Sequence, residues 1–170
     1  MIINFNQLII PVRIVLEKNI EFMTSIVQEE ENATNEWKIS IDCIGVDAQI
    51  HDGVDSKTLN KYVGHFAQSG YILGNVALAA HNRWYPVNYF KDIKKLQIGD
   101  VIEYEYRNLK LRYTVYNNVI IKDTDTYVIE NTKENIITLI TCVENKPELR
   151  RCVQGRLNMN NLEENKWKIK

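Results

Sequence analysis

A mostly β domain, its sheet closed as a barrel or folded as a sandwich, is what this 170-residue chain predicts, and three observations carry that reading. After Trp37 the apolar residues fall into short, β-branched, often alternating runs at 38–46, 76–80, 101–106, 109–121, 127–130, 136–142 and 150–157, which is the texture of strands packed against a core. Only brief helical stretches separate them, so the sheet is expected to be mostly antiparallel and not built from βαβ units. The seven glycines gather at turns such as Gly70, Gly74 and Gly99 and form neither GxGxxG nor a phosphate loop, which leaves nucleotide binding without support.

Taken in order, Leu16, Ile20, Met23 and Val27 recur at helical spacing, so an amphipathic helix is predicted over 12–28, running into the acidic stretch 29–35. Residues 1–36 thus read as an N-terminal appendage, 37–157 as the barrel and 158–170 as a tail. The apolar run 8–16 is short and interrupted by Pro11 and Arg13, so no spanning helix of about 20 residues is expected. The opening residues lack the basic region and cleavage site of a secretory signal. Two short helices are predicted at 56–66 and 89–96, each behind a capping side chain, Asp55 and Asn88.

The balance of 21 basic and 22 acidic residues provides no cationic excess for a polyanion, so nucleic acid is not an expected partner. Three cysteines, Cys43, Cys142 and Cys152, are too few and too scattered for a disulfide framework, and no CxxC pair offers half a zinc site. At least one thiol should be free.

Three strand ends then stand out. The apolar run Thr138-Leu139-Ile140-Thr141 ends in Cys142, and Val76-Ala77-Leu78-Ala79-Ala80 ends in His81. A seven-residue loop after Cys142 leads to the strand that opens with Arg150, and an antiparallel hairpin would set Arg150 beside Cys142. Alternation turns Arg151 to the opposite face, although a bulge would exchange the two. Singly, each has a plain structural reading: a buried small thiol, a hydrogen-bonded surface histidine, a solvated arginine. Together they supply a sulfur nucleophile, a proton carrier and a cation for an oxyanion, and nearby positive charge favours a thiolate. That combination is one of acyl transfer.

The pattern resembles the sortase family, transpeptidases of Gram-positive cell surfaces. Thr138-Leu139-Ile140-Thr141-Cys142 matches the family's TLxTC signature, and Arg150 to Gly155 is similar to its R-x-x-V-x-G strand. Residues 44–53 look like the first strands, 74–81 like the histidine segment and 96–100 like the turn before the middle strands. Ala80 stands where the family commonly has Gly, and Cys152 lies two residues beyond Arg150. The short loop from Cys142 to Arg150 looks closer to the class D or class A branches than to class B.

What the resemblance implies is a closed eight-stranded β-barrel in which Cys142 is nucleophile, His81 general acid/base and Arg150 the holder of substrate or oxyanion. Ala79, Thr138 and Ile140 would line the substrate groove. The expected substrate is an LPxTG-like sorting signal, cleaved before its Gly through a thioacyl intermediate and passed to an amine on a peptidoglycan precursor or a pilin. The implied location is the extracytoplasmic face of the cell membrane, where the family usually has a membrane helix. No cofactor is implied; the carboxylates that would serve calcium, Asp123, Asp125, Glu130 and Glu134, read as dispersed and solvated. The alternatives are a hydrolytic or catalytically silent barrel that binds peptides. A papain-type protease does not fit, since all three histidines precede Cys142.

Overall fold

The structure, a computed structural model, describes residues 36–158 apart from Trp84 and Asn108. The helix expected at 12–28 and nearly all of the tail lie outside the described residues. Eight strands form a closed barrel: β1 (Trp37–Ile41), β2 (Val46–Asp52), β3 (Val63–His65), β4 (Asn75–Ala79), β5 (Val101–Tyr106), β6 (Leu109–Lys122), β7 (Ile136–Val143) and β8 (Lys146–Leu157). Their order around the barrel is β1-β2-β3-β4-β7-β8-β6-β5. β5 covers β6 only as far as Thr114, so residues 117–122 pair with β8 alone and keep one open flank. All neighbours are antiparallel except β2–β3 and β4–β7.

Alternation decides what fills the barrel. Ile39 and Ile41, Val76 and Leu78, Ile102, Tyr113, Ile137, Leu139 and Val153 all point inward and are completely buried, each apolar side chain contributing about 1.5–3 kcal/mol of transfer free energy. Gly155 is needed inside for its size: a Cβ there would lie 3.0 Å from Tyr113 Cβ and 3.2 Å from Ile137 Cγ2. β4 is buried on both faces, because the connection from β6 to β7 folds over its outer side.

Four expected elements are corrected. The run 38–46 is two segments, since β1 ends in a 3-10 turn, Asp42–Ile44, closed by Gly45 at φ 65° before β2 begins. The helix at 56–66 is only α1, Ser56–Leu59, capped by the Asp55 carboxylate on Thr58 N–H at 2.9 Å. The rest becomes β3, because Val63-Gly64-His65 pairs with β2 and β4 and is buried. The helix at 89–96 shrinks to a 3-10 turn, Ile93–Lys95. The strand at 127–130 is instead the 3-10 turn Thr126–Ile129: Asn75 Nδ2 donates to Val128 O and Glu130 O, so these carbonyls find partners without a ladder.

The same corner fixes the start of β4. Asn131 Oδ1 accepts from Asn75 N–H at 3.1 Å, and Asn135 Oδ1 from Gly74 N–H at 3.0 Å. Gly74 sits at φ 77°, where a Cβ would strike Asn131 Oδ1 at 1.9 Å, so only glycine fits this turn.

Candidate active site

β4 and β7 run parallel and end together. Their register, Ala77↔Thr138 through Ala79↔Ile140, continued by two residues, sets His81 beside Cys142. Two hydrogen bonds extend that lacing past the ladder: Ala80 N–H donates to Ile140 O at 3.3 Å, and Thr141 Oγ1 donates to Ala80 O at 2.7 Å. On the other flank β8 places Arg150 opposite Cys142 and Arg151 opposite Thr141. Opposed residues share a face, so Arg150 stands on the Cys142 face and Arg151 on the other. The connection between these strands is tighter than the seven-residue loop expected: β8 begins at Lys146, and the turn closes on Asn145 at φ 57°. A bulge falls between Cys142 and Val143, beyond the Cys142–Arg150 pair, and so leaves Arg150 and Arg151 unexchanged.

β7 is buried from Ile136 through Thr141 and emerges at Cys142, whose thiol is exposed. The buried small hydrophobe is Cys152, 1 % exposed and packed with Ala77, Ile129 and Ile140; burial pushes its thiol up to about 12. Cys43 is exposed, but desolvation and the Asp100 carboxylate raise its thiol as well.

His81 is half-buried beneath Tyr85, whose ring stacks on the imidazole with centroids 3.4 Å apart and planes 6° from parallel. Its Nε2 is buried without a hydrogen-bond partner. Desolvation therefore holds its pKa below the usual histidine value, and the ring is a neutral imidazole at neutral pH. Arg150 Nη1 donates to Pro147 O at 2.6 Å and Leu149 O at 2.9 Å, while Nη2 lies 3.9 Å from Asp123 Oδ2. Those contacts hold the guanidinium over the hairpin and leave its Nε–H uncommitted to them.

The groove-lining residues expected from sequence are less open than anticipated. Ala79 and Ile140 are each 8 % exposed and Thr138 is fully buried. Thr138 Oγ1 donates to Asn75 Oδ1 at 2.7 Å and accepts from Gln154 Nε2 at 3.3 Å, which makes it a support beneath the groove and removes it from contact with a ligand. Ile140 packs with Ile129 of the 3-10 turn before β7, and Phe66, Ile121 and Val128 pack against that cluster. Sequence reading also passed over Asn82 and Tyr85. Asn82 Nδ2 donates to Cys142 O at 2.6 Å and so pins the backbone of Cys142; its place directly after His81 was the available signal. Among the described residues, no three His, Cys, Asp or Glu side chains are grouped to hold a metal ion.

A sequence profile of the family described as Sortase domain matches residues 39–158. The chain belongs to the sortase family. It has no match among curated protein sequences. Solved sortases share its barrel: sortase A of Listeria monocytogenes aligns at 27 % identity and TM-score 0.66 over 74 % of this chain and 88 % of that one. Sortase C-1 of Actinomyces oris aligns at 26 % and 0.68 over 74 % and 73 %. For a lid mutant of Corynebacterium diphtheriae sortase A the values are 22 % and 0.67 over 76 % and 74 %, a likeness of fold. Both sortase A and sortase C structures are thus similar to this sortase, and they do not separate the classes. Among the described residues no helix is long and apolar enough to cross a membrane.

Proposed function

We propose that this sortase is a cysteine transpeptidase in which Cys142 is nucleophile, His81 general acid/base and Arg150 the cation that holds substrate or oxyanion. The observation that carries the reading is the sheet order β4-β7-β8, which flanks the one exposed strand-end thiol with His81 on one side and Arg150 on the other. The neutral imidazole takes the thiol proton as sulfur attacks the scissile carbonyl, and returns it to the departing amine. The uncommitted guanidinium N–H faces the developing oxyanion. A second amine then attacks the thioacyl carbonyl, the C–S bond breaks, and the acyl group leaves on the amine.

Membership of the family supports, as the proposed substrate, an LPxTG-like sorting signal cut before its Gly, with an amine of a peptidoglycan precursor or pilin as acceptor, at the outer face of a Gram-positive membrane. Residues 1–36 and 158–170 flank the catalytic barrel in this reading. Such a peptide needs the apolar cover over Ile140, to which Ile129 and Val128 of the Thr126–Ile129 turn contribute, to open. The test is a panel of LPxTG-like peptides with an amine, read by product mass. Peptide–amine conjugates made by the wild type and absent with Cys142→Ala are expected. Cleavage with water alone, unaffected by amine, would replace the transferase by a hydrolase, and no cleavage of any peptide would leave a binding barrel.

A further inference from the structure

A second concavity opens at Cys142, away from the groove. It encloses about 200 Å³ and is lined by the thiol-bearing residue together with Asn82, Arg83, Lys91, Lys94 and Arg151. Thr141 and Arg151, on the far face of the β7–β8 hairpin from Ile140 and Cys152, belong to it, so the hairpin separates the two spaces and Cys142 at its end reaches both.

The lining is strongly cationic. Four basic side chains meet one carboxylate, Glu144, which is engaged by Arg83 at 2.5 Å. Arg151 Nη1 donates to a neutral acceptor, Asn118 Oδ1, at 3.2 Å. Lys91 and Lys94 make no ion pair among the described residues, and the nearest acid in sequence, Asp92, is taken by Lys95 at 3.0 Å. The pocket is also held in shape: Asn118 Nδ2 donates to Leu96 O at 2.7 Å and reaches Ile93 O and Lys94 O at 3.4 Å, which fastens the lysine-bearing turn to β6. Uncompensated positive charge around a small cleft attracts an anion and raises the cost of a bound ammonium.

The geometry points to this pocket as the acceptor site, taking an amine that carries a carboxylate or phosphate close to its nitrogen; the assignment rests on the transpeptidase reading above. The anionic group sits among Lys91, Lys94 and Arg151, while the amine, kept neutral by the same charges, faces the thioacyl carbon on Cys142. Its nitrogen bonds to that carbon as the C–S bond breaks. Sulfur leaves as thiolate, and the amine proton passes to the neutral His81. A neutral diluent such as water gains nothing from the lysines, so the pocket biases the partition towards an anionic amine.

The experiment compares alkylation of Cys142 in the full chain by iodoacetate and by iodoacetamide, located by peptide mass spectrometry with Cys43 as reference. The ratio of the two rates, wild type over the double variant K91Q/K94Q, is expected to be about fivefold at low ionic strength for the removal of two neighbouring charges, and to collapse in high salt. A ratio of one overturns the anion site. Acetate and inorganic phosphate, added at matched ionic strength, show which anion suppresses the preference. The second arm gives the thioacyl enzyme glycine or glycinamide, and a similar loss of preference for glycine in K91Q/K94Q is expected. No change there, with the alkylation ratio intact, overturns the acceptor assignment. A protein that forms no thioacyl adduct instead overturns the transpeptidase reading on which the acceptor role stands, while the alkylation ratio still reads the anion site.

Discussion

His65 and His81 close neighbouring strands, β3 and β4, and are built in opposite ways. His65 is completely buried, and both of its nitrogens are met: Nδ1 by Asp52 Oδ1 at 3.1 Å, Nε2 by Gly70 O at 3.1 Å and Ser69 Oγ at 3.0 Å. The Ser69 hydroxyl donates to Phe66 O and accepts from Ala77 N–H, which carries the network to the floor of the groove. Trp37 and Tyr71 pack on the His65 ring with centroids at 5.2 and 4.4 Å. His81 has a stacked tyrosine and a buried Nε2 with nothing to bond. A buried polar atom left unpaired costs about 1–3 kcal/mol, so the fold spends stability at His81 and recovers it at His65. The difference separates a histidine whose hydrogen bonds hold the barrel from one whose buried nitrogen is left unpartnered, as the proposed proton carrier requires.

That contrast can be broken in four ways. Replacing His81 by Gln should lower thioacyl formation by at least about a hundredfold, the scale of a lost general acid/base, with the denaturant midpoint nearly unmoved; a rate within a few-fold of wild type would reassign the proton carrier. His65→Ala should instead cost about 3 kcal/mol of unfolding free energy, as buried hydrogen bonds and ring packing are lost together. Urea titration measures it, and a change under about 1 kcal/mol would show that the network is not a structural anchor. Removing the Asn82 amide with Asn82→Ala should cost about 1 kcal/mol and slow the acyl step, because Cys142 O loses its partner; both are read from the same urea and adduct assays. The smallest effect sharpens the comparison. Tyr85→Ala admits water to His81, so its pKa should rise towards about 6.5, the unperturbed value. The neutral fraction at acidic pH then falls, and the acid limb of activity moves to higher pH. Ring-proton NMR against pH follows the shift, and a fall or no movement would contradict the desolvation account.

Much of this was legible in the sequence because the informative residues sit where strands stop. Cys142, His81 and Arg150 each end or open an apolar run, and alternation alone put Arg150 and Arg151 on opposite faces. What sequence could not give was the pairing of β4 with β7, a parallel contact between distant segments, without which His81 and Cys142 need not meet. β3 escaped notice because it has three residues, and its pairing with β2 overrides the helical start at Asp55. The Tyr127-Val128-Ile129 run has strand propensity, yet the Asn75 amide satisfies the Val128 and Glu130 carbonyls in a 3-10 turn. The Asn145 turn shortened the hairpin for a similar local reason, a left-handed residue that Asn tolerates. Thr138 shows the limit of alternation: it gives the face correctly but not what covers it.

The most direct measurement of the central claim is the intact mass of the protein after brief exposure to an LPxTG-like peptide panel, with the adduct mapped by proteolysis. The account predicts one acyl group as a thioester on Cys142, removed by hydroxylamine and absent from Cys142→Ala. An acyl group on Cys43 or Cys152, or an adduct that survives Cys142→Ala, would contradict it.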